Sequence, residues 1–232
     1  GVSWASTQDY YARLCIGYNE IKGNLSSPEI VISSLDLQKY ATYARGGDYS
    51  SLRNYVLEHG VERCSKSGCS FIIISSNTAH AVFNLAIERN HKILHIADCV
   101  AYEAKVKGLQ DIAFFGTKYS MENDNLVVGR LKQHNLKIFT PDLEEDRDFI
   151  QILIEEDLSH NRITTRSKDY FIKVLKQMIE QHPSITGLIL GCTEIGLAIS
   201  QEDIDNNGLN ITVLDSTVAH INCTLNILLE KK

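Results

Sequence analysis

Two short stretches carry side chains suited to proton chemistry: Gly191-Cys192-Thr193-Glu194-Ile195 and Ser75-Ser76-Asn77-Thr78-Ala79-His80. In the first, Leu188-Ile189-Leu190 runs into a glycine, and a cysteine follows at once. The pattern reads as a buried strand, a tight turn at Gly191 and the start of a helix. A thiol at a helix N-terminus faces free N–H groups and the positive end of the dipole. Both lower its pKa from the ordinary ~8.5, so Cys192 is predicted to be a thiolate beside an anion site. Glu194 is either a dipole partner in the first turn or the group that orients Cys192.

The second stretch offers a hydroxyl. Ser76 can give a proton to a carbanion, but it is a poor base near neutral pH without an activating partner. Asn77 and Thr78 suit a helix cap as well as a ligand carboxylate. His80, and His220 further on, suit either proton transfer or packing inside the fold. Trp4, the single tryptophan, suits either a closing loop or an aromatic anchor.

These side chains must be held by regular elements, and the chain alternates strand and helix patterns. A helix is predicted over 6–21, a strand over 29–36, a helix over 50–66 and a strand over 71–74. Then come a helix from 79, a strand over 92–96, a helix over 100–107 and a strand over 111–115. A helix to 133, a strand over 136–139 and an acidic helix from 141 follow. A polar loop over 161–168 leads to an amphipathic helix over 169–181, which Pro183 ends. The strand over 186–190 comes next, then a strand over 210–214 and a last helix capped by Asp215-Ser216-Thr217. Alternation of this kind predicts an α/β fold with parallel sheets. Two rounds of it predict two doubly wound, Rossmann-like domains, residues 1–98 plus 208–232 and residues 99–207, with the active site in the cleft between them.

The chain has 232 residues, a net charge of −6, 44% hydrophobic residues and 22% charged residues. These values fit a globular protein and carry no basic footprint for nucleic acid. No apolar run approaches the length of a membrane span, and residues 1–7 lack the features of a signal peptide. Six cysteines, at 15, 64, 69, 99, 192 and 223, form no C-x-x-C pair and no metal-site spacing. The expectation is a reduced, cytoplasmic protein with no metal and no phosphate-cradling glycine loop.

Taken together, the motifs resemble the cofactor-independent aspartate/glutamate racemase family over nearly the whole chain. The resemblance rests on Ser3-Trp4-Ala5-Ser6-Thr7 with Tyr10-Tyr11, Ser34-Leu35-Asp36-Leu37, the Asn-Thr-Ala-His turn, the Gly-Cys-Thr-Glu-Ile turn, and Asp215-Ser216-Thr217 with His220. It implies racemisation of aspartate or glutamate without a cofactor, by two acid/base groups on opposite faces of Cα. The family usually places a cysteine at each of two positions, which here are Ser76 and Cys192. A hydroxyl residue, threonine, occurs at the first position in members specific for the L-enantiomer. A natural hydroxyl–thiol pair, a Cys→Ser replacement and a lost second base all accommodate Ser76.

The resemblance further implies that Asn77, Thr78, Thr193 and Ser3 contact the substrate, the first three holding its α-carboxylate. Arg162 matches a family lysine, and Arg45 is a second candidate cation for the distal carboxylate, or else a solvated surface charge. Arginine in place of lysine changes reach and geometry, so preference between aspartate and glutamate does not carry over. Glu194 and His80 are implied as supporting residues, and a homodimer as the assembly. The family opens on an apolar strand ending in a glycine pair, and Gly1 matches the second of those glycines. Residues 1–5 do not replace such a strand. Two alternatives stay open: a single-cysteine relative that decarboxylates or isomerises dicarboxylates, and a dicarboxylate-binding protein without racemase activity.

Overall fold

A computed structural model of the protein describes residues 1–160 and 162–230. Asn161, the first residue of the predicted polar loop, lies outside them. The chain divides into two compact units: residues 1–96 with the segment from His220, and residues 97–219.

The first unit begins with α1 (Trp4–Lys22), whose N-cap Ser3 accepts a hydrogen bond from the Ser6 N–H. Gly23, at φ +71°, ends it in a conformation that favours glycine. Next come α2 (Leu37–Arg45), capped by Asp36, and α3 (Tyr49–Val56), which runs through a π-type turn at Leu57–Val61 into α4 (Glu62–Lys66). β1 (Ile72–Ile73) leads to a 3₁₀ turn (Thr78–Val82), α5 (Phe83–Glu88) and β2 (Ile93–Leu94). β1 and β2 are parallel, with Ile72 opposite Ile93. Leu52, Leu57, Val56, Val61 and Val82 are buried in one apolar cluster with Ile72 and Ile74.

The strand predicted over 29–36 is not part of this ladder. Its backbone meets Gly1, whose N–H donates to Ser33 O at 2.8 Å and whose carbonyl accepts from Leu35 N–H at 2.9 Å. An apolar groove of about 680 Å³ runs alongside, lined by Leu14, Ile30, Ile32, Val61, Ile72 and Ile74 among others. Ile30, Val31 and Ile32 all border this groove, and the segment carries no ladder pairing among the described residues.

The second unit follows with α6 (Ile96–Val106), β3 (Asp111–Gly116), α7 (Lys118–Glu122), α8 (Val127–Gln133), β4 (Lys137–Phe139) and α9 (Glu144–Ile152). After α9 a π-type turn and a 3₁₀ turn reach His160, then α10 (Thr165–Gln181) begins. Thr164 and Ser167 form a capping box there. The second half of the predicted polar loop, 165–168, is therefore the first turn of α10. β5 (Gly187–Gly191), α11 (Ile195–Ala198), α12 (Gln201–Asn206), β6 (Thr212–Asp215) and α13 (Ser216–Glu230) complete the chain.

The four strands of the second unit are parallel, in the order β4-β3-β5-β6. The chain leaves β3 on one side for β4, then returns to its other side for β5 and β6. The order thus reverses between β3 and β5, and open α/β sheets bind ligands beyond the carboxyl ends of strands at such a switch point. β6 pairs with β5, Leu188 opposite Val213, so 208–219 lies in the second unit and not in the first, where the sequence reading places it. The first boundary likewise falls at 96 rather than 98. Phe114, Phe115, Leu131, Ile150, Phe171 and Leu175 are fully buried in this unit, as expected for strands covered on both faces.

Candidate active site

Gly116 and Gly191 are register partners at the carboxyl ends of β3 and β5. Gly191 does not have a positive φ, so a sharp bend is not what requires it. The Phe114 ring is the reason. A Cβ on Gly191 would lie 2.1 Å from that ring, and one on Gly116 would lie 2.7 Å from it. Gly191→Ala should therefore destabilise the protein by about 1–3 kcal/mol through overpacking of a buried ring. Chemical denaturation measures this, and a change below about 0.5 kcal/mol would show that the ring gives way freely.

The end of β5 is fixed from below as well. The buried Ser216 hydroxyl donates to Leu190 O at 2.6 Å, and Asp215 Oδ1 accepts the Thr217 and Val218 N–H groups to cap α13. The sequence motif Asp215-Ser216-Thr217 read only as a cap. Its serine also pins the strand that delivers Cys192.

Cys192 is buried, and its thiol donates to Glu194 Oε2 at 3.0 Å. The same carboxylate oxygen accepts the Thr193 hydroxyl at 2.7 Å, and Glu194 is itself buried. Burial pushes the Cys192 thiol well above the usual thiol range, and the Glu194 carboxylate pushes the same way. The predicted resting thiolate is thus corrected to a thiol. The helix expected to stabilise a thiolate starts only at Ile195 and has four residues, too short to set up a strong dipole. What the turn provides instead is a proton held between sulfur and carboxylate.

In the first unit several backbone groups of the residues after β1 are held by hydrogen bonds. The Ser6 hydroxyl of α1 donates to Ser75 O at 3.1 Å. Ser76 N–H donates to Ile74 O at 2.8 Å, and Ser76 Oγ accepts from Ala79 N–H at 3.4 Å. The cap expected of Asn77 and Thr78 is therefore made by Ser76 itself. Asn77 and Thr78 are buried beside it. His80 Nδ1 donates to Ser76 O at 2.8 Å, and His80 Nε2 accepts from Ile96 N–H at 3.2 Å.

His220 is fully buried, with Nε2 donating to Leu94 O at 3.1 Å and Nδ1 accepting from the Tyr10 hydroxyl at 3.1 Å. Burial first, and His80 second, lower its pKa to about 3, so it is neutral and structural.

The remaining predicted site residues fall elsewhere. Ser3 caps α1, and Ser6, whose N–H donates to its hydroxyl, donates in turn to the Ser75 carbonyl before Ser76. Trp4 is 66% exposed, which removes the core-anchor reading. Arg45 is exposed in the last turn of α2, a position the helix dipole favours for a cation. Arg162 is exposed, and its guanidinium donates to the Glu156 carbonyl of the preceding turn. Each unit thus gathers its own set, Ser76, Asn77, Thr78 and His80 in one, Cys192, Thr193 and Glu194 in the other. Phe114 is not among the residues that side-chain chemistry singles out, and Ser6 and Ser216 are named there only within motifs. A glycine closing each of two strands, with Phe114 two residues before the first, is the signal that could have found the ring. Among the described residues no group of three or more His, Cys, Asp and Glu side chains could hold a metal, and no helix is long and apolar enough to cross a membrane.

The sequence profile of the Asp/Glu/Hydantoin racemase family matches residues 1–224. A crystal structure of a candidate Asp/Glu racemase from Yersinia pestis is 29% identical, with a TM-score of 0.84, covering 99% of this chain and 96% of that one. An aspartate racemase homologue from Pyrococcus horikoshii OT3 is 24% identical, with a TM-score of 0.77 and coverage of 99% and 97%. The fold is also that of glutamate racemase from Francisella tularensis subsp. tularensis SCHU S4, solved with D-glutamate: 15% identity, a TM-score of 0.57, and coverage of 94% and 77%.

Proposed function

Because the chain belongs to the Asp/Glu/Hydantoin racemase family, we propose that it exchanges and inverts the α-proton of aspartate or glutamate without a cofactor. Cys192 serves one face of Cα, and Ser76 stands at the position of the second acid/base group. The observation that carries this reading is the buried Cys192 thiol held on the Glu194 carboxylate at the switch point of the second sheet.

Glu194 takes the thiol proton, leaving a thiolate. The thiolate removes the substrate's Cα–H, forming S–H and leaving an enolate-like carbanion. Backbone N–H groups at the two strand ends stabilise the charge that develops on the α-carboxylate. When the new S–H exchanges with solvent, return of a proton from Cys192 restores the same enantiomer with solvent hydrogen at Cα, and the thiolate takes its proton back from Glu194. Donation from the Ser76 hydroxyl to the opposite face inverts the centre; the alkoxide takes a proton from water, and the hydroxide so formed takes the proton held by Glu194, which resets both groups. Asn77, Thr78 and Thr193 hold the α-carboxylate, and Arg162 or Arg45 meets the distal one. A homodimer in the cytoplasm is part of the same reading. The family supports the dimer, and the six free cysteines support a reducing compartment.

The test is deuterium incorporation at Cα of L- and D-aspartate and L- and D-glutamate in deuterated water, followed by NMR with chiral separation. We expect label to enter one enantiomer with retention faster than the centre inverts. No incorporation into any of the four, together with none in Ser76→Cys, overturns the reading. A single thiol also suits decarboxylation or isomerisation, so arylmalonate and maleate belong in the same assay. Thermal stabilisation by dicarboxylates without any exchange would mark a binding protein instead.

A further inference from the structure

Beneath the Ser76 turn lies a group of aromatic and imidazole rings that the proton chemistry does not use. The His80 and His95 rings are 4.4 Å apart, His80 and His220 5.9 Å, and Phe83 packs edge-on against His95 at 4.7 Å. All three histidines are buried. His80 is the member in contact with the turn.

Its two nitrogens have opposite jobs. A carbonyl oxygen only accepts, so the bond to Ser76 O requires a proton on Nδ1. A backbone amide only donates, so the bond from Ile96 N–H requires a lone pair on Nε2. The two partners together select the neutral Nδ1–H tautomer. We propose that His80, locked in this tautomer, is the positioning residue of the Ser76 turn: it ties the Ser76 carbonyl to the backbone at Ile96 and so fixes where the Ser76 hydroxyl stands.

The consequence is specific to one nitrogen. The preceding carbonyl, at Ser75, is already held by Ser6, and the Ser76 N–H by Ile74 O. The Ser76 carbonyl is the group that turns with the peptide plane before Asn77, and His80 Nδ1 is what stops it. An asparagine amide nitrogen, one bond from Cγ, occupies the place of Nδ1. A glutamine amide, one carbon longer, reaches the place of Nε2. His80→Asn therefore keeps the bond to Ser76 and loses the one to Ile96, while His80→Gln does the reverse.

This proposal rests on the racemase reading only for its kinetic arm. There, His80→Asn is expected to keep kcat within about threefold of the parent. His80→Gln should lose about 10²-fold in kcat with little change in KM, the cost of a misplaced reacting group. Two further measurements do not depend on activity. Imidazole nitrogen NMR of the parent protein should show the Nδ1–H tautomer for His80. Hydrogen exchange should show the Ala79 amide, which donates to Ser76 Oγ, protected in the parent and in His80→Asn but open in His80→Gln. An Nε2–H tautomer, or equal loss of Ala79 protection in both variants, overturns the proposal even if the enzyme is active. If the parent shows no α-proton exchange, the racemase reading fails, and the tautomer and Ala79 protection alone decide the role of His80.

Discussion

Cys192→Ala should reduce α-proton exchange by about 10³-fold or more, with a stability loss of about 1 kcal/mol. The reaction needs a group that can leave Cα with a proton and give one back, and general acid–base catalysis contributes about 10²–10⁴-fold. Alanine removes that group and the thiol bond to Glu194, while the bond from the Thr193 hydroxyl stays in place. Cys192→Ser keeps the hydrogen bond but not the ionisable sulfur, and it should fall nearly as far. A variant retaining more than a tenth of parental exchange would remove Cys192 from the mechanism.

The raised thiol pKa adds a pH signature to the same prediction. In the folded protein burial favours the neutral thiol, whereas the unfolded chain ionises at the ordinary ~8.5. The stabilisation is fully present below that unfolded value and is lost as pH rises toward and through the folded one. Exchange moves the other way, increasing with pH as the thiolate becomes easier to form. Cys192→Ala should flatten the alkaline loss of stability while abolishing the alkaline gain in rate.

The parts of the fold set by local pattern were legible in the sequence. Leu188-Ile189-Leu190 is an unbroken apolar run because β5 is covered on both faces, and that pattern has few other solutions. The apolar run Ile30-Val31-Ile32 misled, since a segment bordering a groove and a strand can be equally apolar. The place of 208–219 also misled, because which sheet a strand joins is decided by register with β5, a long-range property. At the site, the residue types were readable but their protonation was not. The thiolate expectation places Cys192 at a helix N-terminus. The observed helix has four residues, and the nearest charge is a buried carboxylate of the wrong sign for a thiolate. Desolvation and Glu194 act together there, and neither is visible until the chain is folded.

Ser76→Cys should raise the rate of inversion by about 10²-fold, equally in both directions. The two enantiomers of an amino acid have the same free energy, so kcat/KM for inversion must be equal from either side, whichever group is weak. A poor second base therefore cannot appear as a one-way racemase. It appears as exchange without inversion: the enantiomer whose α-proton faces Cys192 takes up deuterium with retention, and its mirror image is nearly silent. A thiol at position 76 is far more easily ionised than a hydroxyl, so it can both remove and return a proton. The silent enantiomer should then exchange, and the ratio of retention to inversion should fall toward unity. The substitution adds little bulk at a half-buried site and weakens only the 3.4 Å bond from Ala79, so stability should change by less than about 1 kcal/mol. If the parent already exchanges both enantiomers at equal rates, Ser76 is a competent base as it stands, and the source of its activation must be sought in the turn that His80 and Ser6 hold. If Ser76→Cys leaves inversion unchanged while Cys192→Ala abolishes exchange, position 76 does not face the reacting carbon, and the chemistry belongs to Cys192 and Glu194 alone.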